Sequence, residues 1–312
     1  MSTILVTGGF GYVGGRLAAR LLADGHHVRI ATRRAAAPAW AGDAELVTVD
    51  WRDGLGALCQ GVDTVLHLAA MSEVDAVRDP VMALDINAVL TVRLLEAAMA
   101  AGVRRFVYFS TAHVYGAPLA GTITETTLPR PVHPYAITHR TAEDFVLAAH
   151  DAKRIQGLVV RLSNVIGAPA DNGAERWTLL VNDLCRTAVT NGRMVMRSSG
   201  MQHRDFVPQA DVEAAIVHLL ATDDWGDGLF NLGLGRSMTV RHMAELVASR
   251  AAALGITVPL DCPPPALGEN AVPLDYRIDK LRATGFAPRG DIMAAVDETL
   301  VFCRDHFSRD VR

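Results

Sequence analysis

The sequence predicts an α/β protein built on a doubly wound parallel sheet, followed by a smaller C-terminal domain. Short apolar and β-branched runs alternate with longer Ala- and Leu-rich stretches over the first half of the chain. The runs are apolar at every position, which is typical of strands that helices cover on both faces. Parallel strands joined by right-handed crossovers end at the same edge of the sheet, so we expect the functional residues directly after strands.

The expected elements follow one another along the chain. Strands are predicted at 4–7, 28–32, 46–49, 64–70, 105–110 and 158–163. Helices are predicted at 12–24, 53–60, 81–101 and 134–150. Beyond residue 166 we expect a loop at 167–173, a helix at 176–190, a strand at 194–196, an αβ segment at 204–232 and a Pro-rich loop at 262–273. The predicted domains are therefore 1–167 with the returning segment at about 204–232, and 168–203 with 233–312.

Composition excludes several classes of protein. The chain has 312 residues, of which 50% are hydrophobic and 21% charged, as in a folded globular protein. Its formal net charge of -4 gives no positive field for nucleic acid or an anionic membrane. No run approaches the ~18 to 20 apolar residues of a membrane span, and the N-terminus lacks a signal-peptide pattern. The four cysteines, Cys59, Cys185, Cys262 and Cys303, form no CxxC pair and no disulfide framework, so we expect a cytoplasmic protein. We expect no nucleic-acid, membrane or metal partner.

A glycine-rich turn joins the first predicted strand to the first predicted helix. It reads TGGFGYVG from the seventh residue. Gly8 and Gly11 permit a tight turn and a close approach of the backbone to a pyrophosphate, and Gly14 lets the helix pack against the strand. The helix N-terminus at Tyr12 and Val13 favours negative charge. The turn therefore predicts a dinucleotide-binding site.

The end of the second strand indicates which dinucleotide is bound. An NAD site usually carries Asp or Glu there to hold the ribose hydroxyls, whereas this chain has Thr32, Arg33 and Arg34. A guanidinium binds a 2′-phosphate through a planar pair of charge-assisted hydrogen bonds, which favours NADP. NAD remains possible if the two arginines only occupy an exposed turn.

Two further strand ends are expected to line the cofactor. Asp50 and Trp51 follow the third strand, where they would meet the adenine. Leu68, Ala69 and Ala70 end the fourth strand, where they would line the cofactor with backbone. Packing at the ends of the strands is the alternative interpretation of both groups.

A hydroxyl and a tyrosine indicate hydride-transfer chemistry. Thr111 follows the fifth strand in STAHVYG, and Tyr135 lies 24 residues further on in HPYAITH. A tyrosine exchanges a proton with a substrate hydroxyl or carbonyl when a neighbour stabilises its phenolate, and a hydroxyl donor polarises the same oxygen. His139 is at i+4 from Tyr135 and shares its helix face. We expect all three residues to be catalytic, with Tyr135 and His139 also contacting the cofactor.

These motifs resemble those of the extended short-chain dehydrogenase/reductase superfamily, and within it the NAD-dependent epimerase/dehydratase family of nucleotide-sugar enzymes. The resemblance extends over nearly the whole chain. Beside the glycine turn and STAHVYG, the matching features are VLHLAA, DINAVLT with Asn87, the turn around Glu125, RLSNVIG with Asn164, HRDFV with Arg204, and LRATGFAPR.

The resemblance implies a Rossmann domain that binds NAD(P) and a smaller C-terminal substrate-binding domain. It also implies a homodimer formed through the helices that correspond to 81–101 and 134–150. The residue roles that it implies are Thr111 and Tyr135 in catalysis, Asn87 in the cofactor site, and Asn164 and Arg204 at the sugar and diphosphate of a nucleotide-sugar substrate.

The chain departs from the family at the YxxxK motif, which reads YAITH with His139 in place of the lysine. In the family that lysine binds the nicotinamide ribose and carries a permanent charge that lowers the pKa of the tyrosine. Histidine can still donate to the ribose, but its unperturbed pKa of ~6.5 leaves it largely neutral at physiological pH. A decayed site, in which Tyr135 remains as a packing residue, is the alternative interpretation.

The residues after Thr111 favour one type of reaction. Dehydratases of the family carry an Asp-Glu pair there, and this chain has Ala112 and His113. His113 is expected to contact the substrate, either as a proton shuttle or as a hydrogen-bonded loop residue. We therefore expect a nucleotide-sugar oxidoreductase of the ketoreductase type that uses NADP. The alternatives are a nucleotide-sugar epimerase with retained NAD(P) and a non-catalytic dinucleotide-sensing protein.

Overall fold

The computed structural model describes residues 1–34, 36–51, 53–174, 176–269 and 271–307. The chain divides into two units. The first contains Met1–Ala117, Glu125–Leu162 and Ile216–Asn231, and the second contains Pro118–Thr124, Ser163–Ala215 and the chain from Leu232 onward. Residue 270 of the predicted Pro-rich loop and residues 308–312 of the predicted second domain lie outside the described residues.

The strands and helices have the following bounds. The strands are β1 (Thr3–Thr7), β2 (His27–Thr32), β3 (Glu45–Thr48), β4 (Thr64–His67), β5 (Arg105–Thr111), β6 (Gly121–Ile123), β7 (Gln156–Leu162), β8 (Asn164–Ile166), β9 (Met194–Val195), β10 (His203–Pro208), β11 (Leu229–Leu232), β12 (Ser237–Thr239), β13 (Leu260–Asp261) and β14 (Leu274–Tyr276). The helices are α1 (Tyr12–Ala23), α2 (Leu55–Cys59), α3 (Glu73–Arg78), α4 (Pro80–Leu84), α5 (Leu90–Ala100), α6 (Pro134–Asp151), α7 (Leu180–Asn191), α8 (Gln209–Leu220), α9 (Val240–Ala253), α10 (Asp279–Ala283) and α11 (Ile292–Phe307).

A seven-stranded sheet forms the centre of the first unit, in the order β11-β7-β5-β4-β1-β2-β3. The strands from β7 to β3 in that order pair in parallel. This arrangement confirms the predicted doubly wound Rossmann fold. β1 pairs with β2 on one side and with β4 on the other, so the chain order reverses beside β1, which is where such sheets bind their ligands.

One hydrophobic core of the first unit lies where the sheet packs against α2, α5 and α6. Leu5, Val65 and Phe106 contribute from three neighbouring strands, and Leu94 and Val146 contribute from two helices. All five side chains are fully buried. The uninterrupted apolar runs of the sequence therefore correspond to strands in the interior of the sheet, as predicted.

The helical stretch predicted at 81–101 begins at Pro80, within one residue of its predicted start, but is interrupted. Asp79 caps α4, because its side chain accepts the N–H of Met82 at 2.9 Å. A separate short helix, α3, precedes it and was not predicted from the sequence. Between α4 and α5 the chain forms a π-helical turn over Asp85–Val89. Such turns are often found at functional sites, and this one contains Asn87.

Small sheets and packed helices form the second unit. Its strands pair in the orders β12-β10-β8, β13-β9 and β14-β6. The sequence assigns 204–232 to the first domain, but the structure divides this segment. Residues 204–215 belong to the second unit because β10 pairs with β8 and β12, and only 216–231 belong to the first unit.

Two predicted boundaries shift by a few residues. β4 ends at His67 instead of residue 70, so Leu68 to Ala70 lie in a loop. α7 begins at Leu180 instead of residue 176, because the chain before it forms a turn in which the Leu179 N–H donates to the Arg176 carbonyl at 3.3 Å.

Neither a membrane-spanning helix nor a metal cluster is present among the described residues. Among these residues, no helix is both long enough and apolar enough to cross a bilayer. The same part of the chain has no group of three or more His, Cys, Asp or Glu side chains that could hold a metal ion.

Candidate active site

The glycine turn after β1 has the geometry that a pyrophosphate requires. Gly8 adopts a φ of 70°, a conformation that favours glycine, and the Gly11 N–H donates to the Gly8 carbonyl at 2.8 Å. A Cβ at Gly14 would lie 2.2 Å from the Gly8 carbonyl oxygen, and a Cβ at Gly8 would lie 2.8 Å from the backbone of Leu68. Because Gly8, Gly11 and Gly14 place no side chains of their own at the N-terminus of α1, the turn fits a dinucleotide.

This packing predicts that Gly14→Ala weakens cofactor binding. The added methyl group would overlap the Gly8 carbonyl and move α1 away from β1, together with the N–H groups that would hold the phosphates. We expect the NADPH dissociation constant, measured by fluorescence titration, to rise at least about tenfold, which corresponds to about 1.4 kcal/mol. Gly56→Ala is the matched control, because a Cβ at Gly56 meets nothing within 4 Å. Equal affinities of the two variants would contradict the role of the turn.

Two exposed arginines follow β2. Thr32 is buried, and its hydroxyl oxygen accepts the N–H of Arg34 at 3.0 Å. The Arg34 guanidinium lies 5.6 Å from the centre of the Phe10 ring, which in turn packs edge-on against Trp40 at 5.7 Å. Arg33 is exposed beside it. The strand end that normally carries a carboxylate in an NAD site therefore carries positive charge.

The other predicted cofactor residues also follow strands of the first unit. Asp50 is exposed and Trp51 half-buried after β3. Leu68, Ala69 and Ala70 are half-buried in the loop after β4, where the Ala69 N–H donates to the Thr7 hydroxyl oxygen at 3.2 Å. The loop is thus attached to the end of β1. The contacts of these residues with a cofactor stay a prediction.

A buried chain of hydrogen bonds runs from β1 to the π-helical turn. The Thr7 hydroxyl lies 2.6 Å from Nδ1 of His67, and Nε2 of His67 lies 2.9 Å from the Thr91 hydroxyl. Since Thr91 donates to the Asn87 carbonyl at 2.7 Å, it accepts from Nε2, and Nδ1 accepts from Thr7. This pattern requires a neutral imidazole, in agreement with the burial that lowers the pKa of His67 to about 3.

Asn87 connects this chain to the helix that contains Tyr135. Its Oδ1 accepts the Met71 N–H at 2.7 Å, and its Nδ2 donates to the Thr138 hydroxyl at 3.0 Å. The Thr138 hydroxyl donates to the Tyr135 carbonyl at 3.0 Å. Asn87 is only 1% exposed. Its contacts position the loop after β4 and the first turn of α6. Its predicted contact with the cofactor stays a prediction.

Thr111 and Tyr135 lie on neighbouring elements of the first unit. Thr111 ends β5, and Tyr135 follows Pro134 in the first turn of α6, which packs against β5. Thr111 is buried, and its hydroxyl oxygen accepts the N–H of His113 at 3.2 Å. The hydroxyl hydrogen of Thr111 takes no part in that bond. Tyr135 is half-buried. Both predicted catalytic residues therefore lie at the carboxyl edge of the sheet.

His139 lies beside Tyr135 and is hydrogen-bonded to a residue that the sequence analysis missed. The rings of Tyr135 and His139 are nearly perpendicular, with centres 4.4 Å apart. Nδ1 of His139 lies 2.7 Å from the Tyr108 hydroxyl, and both residues are 2% exposed. Burial, then the charges of Glu143 and Tyr135, raises the pKa of Tyr108 well above its usual range, so Tyr108 is a neutral phenol. Only the three-dimensional pairing of β5 with α6 identifies this contact.

Two further histidines lie beside Tyr135. The His113 and His133 rings are 5.6 Å apart, and the His133 ring lies nearly parallel to that of Tyr135 at 6.1 Å. Nε2 of His133 lies 3.6 Å from a carboxylate oxygen of Glu73. The sequence analysis missed His133, although its position at the start of α6 was a usable signal. The predicted substrate contact of His113 stays a prediction.

A buried ion pair supports α6 from β7. Arg161 donates to both carboxylate oxygens of Glu143, at 3.0 and 2.7 Å, and the two side chains are 1% and 0% exposed. The Arg161 guanidinium also lies 4.6 Å from the centre of the Tyr115 ring. Although burial lowers the pKa of Arg161, the hydrogen bonds and charge of Glu143 raise it further above its usual range. Glu143 lies one helical turn beyond His139, so the pair positions the helix that contains Tyr135 and His139.

In the second unit, Asn164 and Arg204 lie on paired strands. Nδ2 of Asn164 donates to the Asp205 carbonyl at 2.9 Å, and Arg204 donates to Oδ1 of Asn164 at 3.4 Å. The Asp205 carboxylate is buried and accepts from Ser163 at 2.6 Å and from the Leu234 N–H at 2.9 Å. These bonds hold β8 and β10 together. The predicted substrate contacts of Asn164 and Arg204 stay a prediction.

Comparisons with known proteins converge on one family. A model described as the NAD dependent epimerase/dehydratase family matches residues 4–233. The dTDP-6-deoxy-L-talose 4-dehydrogenase (NAD(P)(+)) of Kitasatospora kifunensis is 34% identical over 253 residues, which cover 78% of this chain and 77% of that protein. The UDP-glucose 4-epimerase of Corynebacterium glutamicum is 29% identical over 318 residues, covering 96% of this chain and 95% of that protein.

A solved structure shows the same architecture. MoeE5 in complex with UDP-glucose and NAD matches this chain with a TM-score of 0.82 at 26% identity. The match covers 98% of this chain and 100% of that one. Both units of this chain therefore have counterparts in a protein that was solved with a nucleotide sugar and a dinucleotide.

Proposed function

We propose that this chain, which belongs to the NAD-dependent epimerase/dehydratase family and is an enzyme, reduces a ketone of a nucleotide sugar with NADPH. The observation that carries the proposal is the placement of Thr111, Tyr135 and His139 at the carboxyl edge of the sheet that contains the glycine turn. The similarity to a dTDP-6-deoxy-L-talose 4-dehydrogenase supports a nucleotide-sugar substrate and a reaction at its fourth carbon.

In the proposed mechanism Tyr135 is the proton donor. As the carbonyl carbon gains a hydride, the carbonyl oxygen gains negative charge and takes the phenolic hydrogen of Tyr135, so the ketone becomes a secondary alcohol. Thr111 donates a hydrogen bond to the same oxygen and stabilises the developing charge. The chemistry that NADPH supplies when bound is hydride donation. His139 would contact the nicotinamide ribose from the same helix face as Tyr135.

The arginines after β2 predict selectivity for NADPH over NADH. Arg33→Ala should weaken NADPH binding by about 1.5 to 3 kcal/mol, the range for a hydrogen bond to a charged group, and should leave NADH binding nearly unchanged. Arg34→Ala should act in the same direction, because the Phe10 ring holds this guanidinium beside the turn. Calorimetry with both cofactors measures the difference. Arg154→Ala, which alters an exposed pair with Glu96, is the control. Tighter binding of NADH than of NADPH by the unaltered protein would reject the selectivity.

A nucleotide-sugar epimerase with retained NAD(P) is the second candidate. It is supported by the similarity to a UDP-glucose 4-epimerase along nearly the whole chain. A reductase must exchange its cofactor in every turnover, whereas an epimerase regenerates its cofactor in place. Denaturing the purified protein and chromatographing the released nucleotides separates the two. We expect far less than one equivalent of dinucleotide, and a near-stoichiometric amount would favour the epimerase.

Asn164, Arg204 and His113 are each proposed to contact the substrate. A guanidinium such as that of Arg204 suits a diphosphate, which it binds through charge-assisted hydrogen bonds. A thermal-shift panel of UDP-, dTDP- and GDP-sugars in the presence of NADP tests the substrate class, because a ligand of the native state raises the melting temperature. A panel without any shift would contradict a nucleotide-sugar substrate.

We also propose that the enzyme is a homodimer through α3 to α6. These helices pack against one another and expose large apolar side chains that a monomer would leave in water. The most exposed of them are Val74, Val77, Val81, Met82, Ile137 and Phe145, at 46%, 59%, 70%, 46%, 47% and 49%. A twofold interface brings the same patch together from both subunits, so an apolar surface of this kind fits a second copy of itself.

Phe145→Glu should therefore shift the protein towards monomer. The carboxylate would lose its water on association without gaining a partner, which we expect to weaken the dimer by at least about tenfold in dissociation constant. Light scattering coupled to size-exclusion chromatography measures the change. Met293→Glu, at a comparably exposed methionine on α11, is the control. A monomeric unaltered protein would contradict the proposal.

A further inference from the structure

The position that holds lysine in the family is here part of a buried pair. His139 is in hydrogen-bond contact with Tyr108 at 2.7 Å, and both residues are nearly inaccessible to solvent. Tyr108 comes from β5 and His139 from α6, so the pair joins the strand that ends in Thr111 to the helix that begins beside Tyr135. Neither the similarity to the family nor the proposed mechanism assigns a role to Tyr108.

We propose that Tyr108 is a positioning residue that fixes the His139 ring with its hydrogen on Nε2, so that the Tyr108–His139 pair supplies the hydrogen-bond donor that the family's lysine supplies to the nicotinamide ribose. The inference rests on the proposed function in one respect, namely that a nicotinamide dinucleotide binds to this unit.

The direction of the hydrogen bond follows from the chemistry of the two groups. Tyr108 keeps its phenolic hydrogen, because burial and the nearby charges of Glu143 and Tyr135 raise its pKa. In the described residues, Nδ1 of His139 is the partner of that hydroxyl. If Nδ1 carried the imidazole hydrogen instead, the buried phenol hydrogen would be left without an acceptor, which is unfavourable. The neutral ring therefore accepts at Nδ1 and has its hydrogen on Nε2.

Protonation of His139 does not remove this donor. In the imidazolium both nitrogens carry hydrogen, and the phenol oxygen of Tyr108 then accepts from Nδ1. Nε2 is a donor in both states, as a lysine ammonium would be. Among the described residues, the titratable groups beside the ring include Tyr135, whose ring centre lies 4.4 Å away, Tyr108, and Glu143 on the next turn of α6, whose carboxylate is bound by Arg161 and Arg140.

Packing around Tyr108 keeps the phenol in place. The His67 ring lies 5.8 Å from the Tyr108 ring, and both nitrogens of His67 are engaged by Thr7 and Thr91. A ring held on both sides in this way has no freedom to turn towards Tyr108. The Tyr108 hydroxyl therefore has the His139 ring, and not the His67 ring, as its hydrogen-bond partner.

The tautomer of His139 tests the inference without any substrate. Histidine labelled with 15N gives different chemical shifts for a nitrogen that carries hydrogen and one that does not, and the signals of His139 among the 11 histidines are identified by their loss in His139→Gln. We expect Nε2 to carry the hydrogen in the unaltered neutral protein, and Tyr108→Phe to shift His139 towards a mixture of tautomers. Hydrogen on Nδ1 in the unaltered protein would overturn the inference.

Cofactor affinity gives the second readout. Tyr108→Phe should raise the dissociation constant of NADPH about three- to tenfold, the range of one neutral hydrogen bond. If Tyr108 acts only through His139, it should have no further effect in the His139→Ala background. Tyr276→Phe, at a fully buried tyrosine of the second unit, controls for the loss of a buried hydroxyl. An equal effect of Tyr108→Phe in both backgrounds would overturn the positioning role.

The two readouts distinguish failure of this inference from failure of the proposed function. If the unaltered protein binds NADH in preference to NADPH, the effect of Tyr108→Phe on NADH affinity, compared between the unaltered and His139→Ala backgrounds, decides the role of Tyr108. If it binds neither, the proposed function fails, while the 15N spectra still establish or exclude the tautomer.

Discussion

Replacing Tyr135 with phenylalanine should lower kcat by about 10² to 10⁴-fold, the usual contribution of a positioned acid, while NADPH affinity changes little. The substitution removes only the phenolic oxygen and keeps the ring that packs edge-on against His139. Because the lost group acts on the oxygen whose charge develops in the transition state, kcat and kcat/KM should fall together. Steady-state kinetics with NADPH and a keto nucleotide sugar measures both constants.

Tyr276→Phe is the matched control for this variant. Tyr276 is fully buried in the second unit, whereas Tyr135 belongs to the first, so the substitution of Tyr276 removes a buried phenolic oxygen from the other unit. We expect its kcat to stay within about twofold of the unaltered enzyme, since the proposed mechanism gives Tyr276 no proton to transfer. Turnover of Tyr135→Phe at the level of this control would show that another residue donates the proton.

Neutralising Glu143 should cost about 3 to 5 kcal/mol in the free energy of unfolding, the range for breaking one half of a buried ion pair. Glu143→Gln keeps the shape of the side chain but leaves the Arg161 charge without its counterion at a position that is 1% exposed. Urea unfolding monitored by circular dichroism measures the loss. The double substitution Glu143→Leu with Arg161→Met should recover most of it, because both charges are then removed.

An exposed ion pair provides the comparison. Glu96 and Arg154 pair at 2.9 Å with both side chains more than half exposed, so Glu96→Gln should change the stability by about 0 to 1 kcal/mol. If Glu143→Gln cost no more than Glu96→Gln, the buried pair would not be what stabilises α6 against β7.

Local signals in the sequence predicted most of the first unit correctly. The apolar runs identify the strands because both faces of a parallel sheet are buried, and the glycine turn identifies the start of α1 because a Cβ at Gly14 would strike the Gly8 carbonyl. The helix predicted at 81–101 was correct at both ends but not in its interior. Its interruption at Asn87 depends on partners elsewhere in the chain.

The positions that the sequence could not assign depend on contacts between distant residues. Tyr108 and His139 are 31 residues apart in the chain, and nothing in either local motif indicates that they share a hydrogen bond. The assignment of 204–215 to the second unit likewise follows from the pairing of β10 with β8. Such pairings depend on strand order and register, which composition and periodicity do not specify.

The central claim is that this enzyme consumes NADPH while it reduces a ketone of a nucleotide sugar. The most direct measurement mixes the purified protein with NADPH and a 4-keto-6-deoxy nucleotide sugar, follows the absorbance of the reduced nicotinamide, and quantifies the sugar product by chromatography. We expect NADPH to be oxidised in equal amount to the alcohol that is formed. Interconversion of two nucleotide sugars without net loss of NADPH would contradict the claim and identify an epimerase.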